Sequence, residues 1–111
     1  MSYTIVEQEL YLKALKKLSK KYKNIETDIE NFLLNLSSLH DLGTELKNNI
    51  YKVRIANSNK NKGKSAGYRL ITYVKMIENE IHLIYIYDKS SLENISEKEI
   101  DTLLIKQLQE S

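Results

Sequence analysis

The sequence of 111 residues predicts an α+β fold, in which an N-terminal helical hairpin packs on a small, twisted antiparallel sheet of about four strands and a C-terminal helix follows. Apolar residues recur at helical spacing in residues 9–36 and again after Ser96. Between them, residues 50–87 contain short runs that are rich in β-branched and aromatic side chains. The order β-α-α-β-β-β-α is typical of one α+β domain spanning residues 1–111.

The first elements are a short strand and two helices. Residues 3–6, Tyr-Thr-Ile-Val, are typical of an edge strand. An amphipathic helix is predicted from Glu9 by three apolar residues spaced four apart: Leu10, Ala14 and Leu18. A capping box at Thr27-Asp28-Ile29-Glu30 predicts the start of a second helix. Because only a short polar stretch separates the two helices, we expect them to form an antiparallel hairpin.

Three strands and a last helix are predicted in the second half, with the strands at residues 50–55, 68–76 and 81–87. A polar loop, Asn57–Ser65, separates the first two strands. The nearly all-apolar run 81–87 is typical of a central strand. A second capping box, Ser96-Glu97-Lys98-Glu99, predicts the start of the last helix.

Positive charge is concentrated in one segment. The net charge is +2, but residues 50–76, here called the basic segment, contain no Asp or Glu, so the rest of the chain is net negative. The cations of the segment are Lys52, Arg54, Lys60, Lys62, Lys64, Arg69 and Lys75, and three tyrosines are interleaved, Tyr51, Tyr68 and Tyr73. Cations bind phosphates and aromatic rings stack on bases, so the segment predicts a nucleic-acid-binding surface.

Several kinds of site have no candidate. Without cysteine there is no disulfide or thiolate metal site, and His40 and His82 stand in different elements, so no metal is expected. Gly63-Lys64-Ser65 lacks the upstream glycine of a P-loop. Catalysis by paired carboxylates has no candidate, because the basic segment contains none. With no signal-like or membrane-spanning apolar run, we expect a cytoplasmic protein without membrane partner or small-molecule cofactor.

Two runs carry a resemblance to a known family. The run Gly63–Val74 resembles the strand of RelE-like toxins in which an arginine follows a Ser-Gly-Tyr-type turn. The run Ile81–Ser96 is similar to the following strand and its lysine-bearing loop, and its Tyr-x-Lys-x-x-x-Glu-Asn pattern fits the HigB-like branch best. Over residues 50–108 the sequence therefore resembles the RelE/ParE superfamily.

The resemblance implies a toxin of a type II toxin–antitoxin module that cuts mRNA in the ribosomal A site without metal, with a cognate antitoxin, mRNA and the ribosome as partners. Three residues match positions that are basic and functional in RelE: Lys52, Arg54 and Arg69. Lys89 matches the lysine of the loop after the penultimate element. RelE has an arginine where Ser90 stands and a catalytic tyrosine where Ser96 stands, and the loop 57–64 is an insertion.

The expected reaction is attack of an RNA 2′-OH on its own 3′ phosphate. Arg69 is predicted to stabilise the transition state with help from Arg54. A lysine crowded by other cations, Lys64 or Lys62, is the candidate base. Lys89 or Tyr73 is the candidate acid or clamp. The residues expected to bind RNA are Lys52, Lys60, Tyr73 and Lys75.

Arg69 is expected to lie at the surface, because its neighbours Tyr68 and Leu70 point to the other face of the strand. Truncation of Arg69 to alanine is therefore expected to leave the fold intact, and its predicted role in catalysis implies that the same change abolishes toxicity. Two other functions stay open on the same sequence: a ParE-like poison of DNA gyrase, and a non-catalytic module that binds RNA or the ribosome.

Overall fold

The computed structural model describes residues 2–61 and 63–110 and confirms the α+β class. The strands of this part are β1 (Thr4–Glu7), β2 (Thr44–Lys47), β3 (Ile50–Ile55), β4 (Tyr68–Lys75) and β5 (Glu80–Asp88). The helices are α1 (Glu9–Ser19), α2 (Ile25–Leu34) and α3 (Glu97–Glu110). Short 3-10 turns lie at Leu39–Leu42, Lys64–Ala66 and Lys89–Ser91.

The strands form one five-stranded sheet in the order β1-β5-β4-β3-β2. Strand β1 runs parallel to β5, and the other neighbouring strands pair antiparallel. The predicted antiparallel sheet of about four strands is therefore a mixed sheet with one more strand. The parallel pair is possible because a long connection, which includes both hairpin helices, separates β1 from β5. Strand β2 was missed because it has only four residues, Thr-Glu-Leu-Lys, without the pattern of a strand.

The first helix begins at Glu9 as predicted, and of the two predicted capping boxes one is right. The Ser96 hydroxyl accepts a hydrogen bond from the Glu99 amide at 3.1 Å, and the Glu99 carboxylate accepts one from the Ser96 amide at 3.2 Å, which confirms the capping box of α3. The capping box at Thr27 is wrong, because α2 begins at Ile25 and Thr27 lies within its first turn. The apolar Ile25 is fully buried, so packing extends the helix beyond the polar signal.

Helices cover both faces of the sheet. On one face, the hairpin of α1 and α2 buries Tyr11, Leu15, Ile25 and Ile29 against the sheet. On the other face, Ile100 and Leu104 of α3 join a second core with Ile50, Ile71, Ile84 and Tyr87. Strand β5 lies between β1 and β4 and is buried over most of its length, which confirms that the apolar run 81–87 is central. Within residues 2–61 and 63–110, no helix combines the length and the apolar character needed to cross a membrane.

Candidate nucleic-acid interface

Pairing of β3 with β4 brings cations from both strands together. Arg54 lies opposite Arg69 in the register of the two strands. Beside them is a pocket of about 540 Å³, here called the basic pocket. Its charged lining consists of Lys52, Arg54, Lys64, Arg69 and Glu97. The strand pairing thus places cations of both strands beside Lys64, and the catalytic roles of these residues stay predictions.

Arg69 is buried beneath this pocket, with only 1% of its surface exposed. Its Nη1 donates to the carbonyl oxygens of Lys64 at 3.1 Å and Tyr68 at 3.3 Å, and its Nη2 donates to that of Ser65 at 3.1 Å. The expectation that Arg69 lies at the surface is wrong. The 3-10 turn at Lys64–Ala66 and the start of α3 fold over its side chain, which fixes the guanidinium.

Glu97 of α3 supplies a carboxylate to the basic pocket. Its Oε1 accepts a hydrogen bond from the Tyr87 hydroxyl at 3.0 Å and lies 3.3 Å from Arg69 Nε and 3.6 Å from Lys52 Nζ. The basic segment itself contains no carboxylate, and α3 brings this one to the pocket from outside the segment. Lys52 also forms an ion pair with Asp101 of α3, with 2.8 Å between Nζ and Oδ2.

The surroundings keep Glu97 ionised. Burial raises the pKa of Glu97, but the hydrogen bond from Tyr87 and the positive charges of Lys52, Arg69 and Lys89 outweigh it, so the pKa is lowered. Burial and the negative charge of Glu97 in turn raise the pKa of Tyr87 far above its usual value. The pair therefore consists of a carboxylate and a protonated phenol at neutral pH.

The exposed cations of the pocket are Arg54 and Lys64. Among residues 2–61 and 63–110, neither side chain forms a hydrogen bond or an ion pair. Lys89 is also exposed, in the 3-10 turn after β5. These side chains are available to phosphates, whereas the charges of Lys52 and Arg69 are compensated by carboxylates of α3. Lys62 lies outside the described residues.

Lys60 is held by a buried carboxylate. Its Nζ lies 2.7 Å from Oδ1 of Asp88, whose side chain is fully buried, and it also donates to the Ser90 hydroxyl. The Tyr22 hydroxyl donates to the other oxygen of Asp88 at 2.5 Å. Burial opposes ionisation of Asp88, but the hydrogen bonds from Lys60 and Tyr22 lower its pKa to about 2. Lys60 thus fastens the loop 57–66 to the sheet and does not line the basic pocket, and its contact with RNA stays a prediction.

Tyr73 and Lys75 stand at the other end of β4 from Arg69. They line a separate pocket of about 500 Å³ beside the C-terminal part of α3. The buried His82 is part of this pocket, with its Nδ1 2.6 Å from Gln8 Nε2 and its Nε2 2.9 Å from Glu80 Oε1. The structure therefore does not bring Tyr73 and Lys75, both predicted to bind RNA, to the basic pocket.

Glu97 and Tyr87 are the residues of this site that sequence reasoning missed. The capping box located the start of α3 and thus placed Glu97 in its first turn, but only the packing of α3 on the sheet brings that carboxylate to Arg69. Within the described ranges there is no group of three metal-ligating side chains that could hold an ion, and metal-independent chemistry stays a prediction.

One comparison assigns the chain to a family. A family model described as RelE toxin of the RelE/RelB toxin–antitoxin system matches residues 13–109. The matched part contains both strands of the basic pocket and nearly all of α3. The comparison with curated proteins gives no match. Because the family model covers most of the chain, the protein belongs to the RelE toxin family of toxin–antitoxin systems.

Proposed function

We propose that this toxin inhibits translation by cutting ribosome-bound mRNA in the cytoplasm, without a metal or small-molecule cofactor. The observation that carries the proposal is the basic pocket, where an arginine fixed by carbonyl groups lies beside two exposed cations, Arg54 and Lys64. RelE toxins pair with a cognate antitoxin, so this chain has one as its protein partner. A RelE-like action in the ribosomal A site, as in the HigB-like branch, is part of the same proposal.

The chemistry needs little from the protein besides position and charge. The RNA 2′-OH is already tethered to the phosphate that it attacks, so holding the nucleotide in line supplies much of the rate. Negative charge then grows on the phosphoryl oxygens, and donors that are already oriented stabilise it without reorganising. Arg54 and Lys64 hold the phosphates of the strand, and Arg69 below them supplies fixed positive charge.

A second candidate is a module that binds RNA or the ribosome without cutting. The burial of Arg69 favours it, because the guanidinium is occupied by three carbonyl oxygens and Glu97 and must be reached through the pocket. Arg54 and Lys64 alone would then bind phosphates. Both candidate functions include binding to RNA or the ribosome, so only a measurement of mRNA cleavage distinguishes them.

The test is mRNA cleavage in a translating extract, mapped by primer extension. The wild-type chain should cut, and the double variant Arg54→Ala/Lys64→Ala should cut at least about tenfold more slowly, as expected when two charged contacts are lost. The matched control is Lys16→Ala/Lys17→Ala, which removes two exposed cations of α1 far from the pocket. Binding without cleavage by the wild type would favour the second candidate, and DNA breaks in cells would favour action on gyrase.

A further inference from the structure

We propose that Glu97 is the general base of the cleavage reaction, which takes the proton from the attacking 2′-OH of RNA. This proposal rests on the proposed function. Of the described residues that line the basic pocket, Glu97 alone carries a carboxylate. The other charged groups of the lining are cations: Lys52, Arg54, Lys64 and Arg69. A lysine must lose its own proton before it can accept another, whereas an ionised carboxylate accepts one at once.

The two oxygens of Glu97 have different surroundings. The Tyr87 hydroxyl, Arg69 Nε and Lys52 Nζ all make their closest approach to Oε1, at 3.0, 3.3 and 3.6 Å. Within residues 2–61 and 63–110, no hydrogen bond is made to Oε2. One oxygen thus anchors the carboxylate, and the other keeps its lone pairs for a proton. A base held by such contacts meets the requirement for a fixed orientation.

Glu97 lies beside Arg69, the residue that the proposed function assigns to stabilising negative charge on the phosphate. Arg69 Nε lies 3.3 Å from Oε1. In a ribonucleotide the 2′-OH and the 3′ phosphate are also neighbours. A nucleotide in the basic pocket can therefore present its hydroxyl to Glu97 and its phosphoryl oxygens to the cations in one orientation. The side chain of Glu97 is 29% exposed, so it is open to such a ligand.

The step balances without a co-reactant. The 2′-O–H bond breaks and its proton passes to Glu97, while the freed electron pair forms a bond from the 2′ oxygen to phosphorus. The bond from phosphorus to the 5′ oxygen breaks, and that oxygen takes a proton from solvent. The products are a 2′,3′-cyclic phosphate and a 5′-hydroxyl. Glu97 then returns its proton to solvent.

The experiment compares two amide variants of α3 in the translating extract. Glu97→Gln keeps the size of the side chain and an oxygen for Tyr87, but it cannot take the proton. Asp101→Asn is the matched control, because it removes the same charge from the same helix and an ion pair with Lys52, and Asp101 does not line the pocket. We expect the single-turnover rate of Glu97→Gln to fall by about 100-fold or more. We expect Asp101→Asn to stay within about threefold of wild type, and the affinity for a 2′-deoxy mRNA to change little in both.

Each outcome is decisive. A wild-type chain that does not cut mRNA rejects the proposed function and leaves nothing for a base to do. If the wild type cuts, a Glu97→Gln variant that cuts equally well or faster overturns the assignment, and faster cutting would show that the carboxylate masks the cations. Equal losses in both variants would mean that Glu97 acts only through charge pairing. If thermal melting shows that Glu97→Gln does not fold, Glu97→Asp is tested in its place. The shorter side chain withdraws the carboxylate from the RNA, so cleavage should be slower by about tenfold or more while the affinity for RNA is unchanged. An unchanged cleavage rate in Glu97→Asp overturns the assignment.

Discussion

Arg54 and Arg69 lie opposite each other on β3 and β4, yet Arg54 is exposed and Arg69 is buried. Like charges in directly opposite positions destabilise a pair of strands. Here Arg69 turns to the carbonyl oxygens of the Lys64–Ala66 turn and to Glu97, whereas Arg54 faces solvent. The repulsion is thereby reduced, and one cation of the pair stays available for a phosphate.

The first prediction is that Arg69→Ala destabilises the protein by about 2–4 kcal/mol, because truncation leaves three carbonyl oxygens and Glu97 without their buried partner. The stability of Arg69→Lys should lie between those of wild type and Arg69→Ala, since an ammonium cannot replace the guanidinium fork. Urea unfolding measures both variants. The control is Arg54→Ala, which should stay within about 0.5 kcal/mol of wild type, as is usual at surface positions. Equal stability of all the variants would contradict a structural role for Arg69.

The second prediction concerns acid. The pKa of Asp88 is lowered to about 2, so its ionised form stabilises the fold above the pKa of an unfolded aspartate, and this contribution is lost as the pH falls from about 4 to about 2. Asp88→Asn should therefore be roughly 2 kcal/mol or more less stable than wild type at pH 7, and the difference should shrink toward pH 2. The test measures the free energy of unfolding of wild type and Asp88→Asn between pH 7 and pH 2. A difference that is constant with pH would rule out the charge as its source.

The third prediction is a salt dependence that identifies the phosphate contacts. For single-stranded RNA, log K falls with log salt by roughly 0.7 per phosphate contact. Arg54→Ala should reduce the slope by roughly that amount, because Arg54 is exposed and unpaired among the described residues. Lys60→Ala should leave the slope unchanged, because Lys60 is paired with Asp88. Titrations of RNA binding at several salt concentrations test both variants. A smaller slope in Lys60→Ala would instead support the prediction that Lys60 contacts RNA.

The fourth prediction concerns the turn that covers Arg69. A Cβ atom at Gly67 would lie 2.1 Å from the carbonyl oxygen of Ile55 and 2.9 Å from the amide nitrogen of Asn57. Gly67→Ala should therefore force the strands apart and cost about 1–3 kcal/mol. The control is Gly63→Ala: Gly63 has a φ of +77° but open space around it, so only the conformational cost of about 1 kcal/mol applies. Thermal melting of both variants should place Gly67→Ala lower, and the reverse order would contradict the close approach.

The strands β3, β4 and β5 could be predicted from the sequence, because they are long and strongly patterned. The absence of acids marked the basic segment, which supplies the four cations of the basic pocket, but not which of its seven cations would meet there. The burial of Arg69 could not be predicted, since alternation along a strand assigns a face but not the cover over that face. That cover comes from a turn and from α3, and its ion pairs depend on tertiary packing.

The parallel pairing of β1 with β5 also sets an order of assembly. Thr4 is aligned with Glu80, so the first strand finds its partner only after most of the chain has been made. Helix α3, which carries Glu97 to Arg69, follows every strand in chain order. Contacts between distant parts of a chain form late, and synthesis proceeds from the N-terminus. A nascent chain of this toxin therefore lacks its finished pocket until β5 and α3 have emerged.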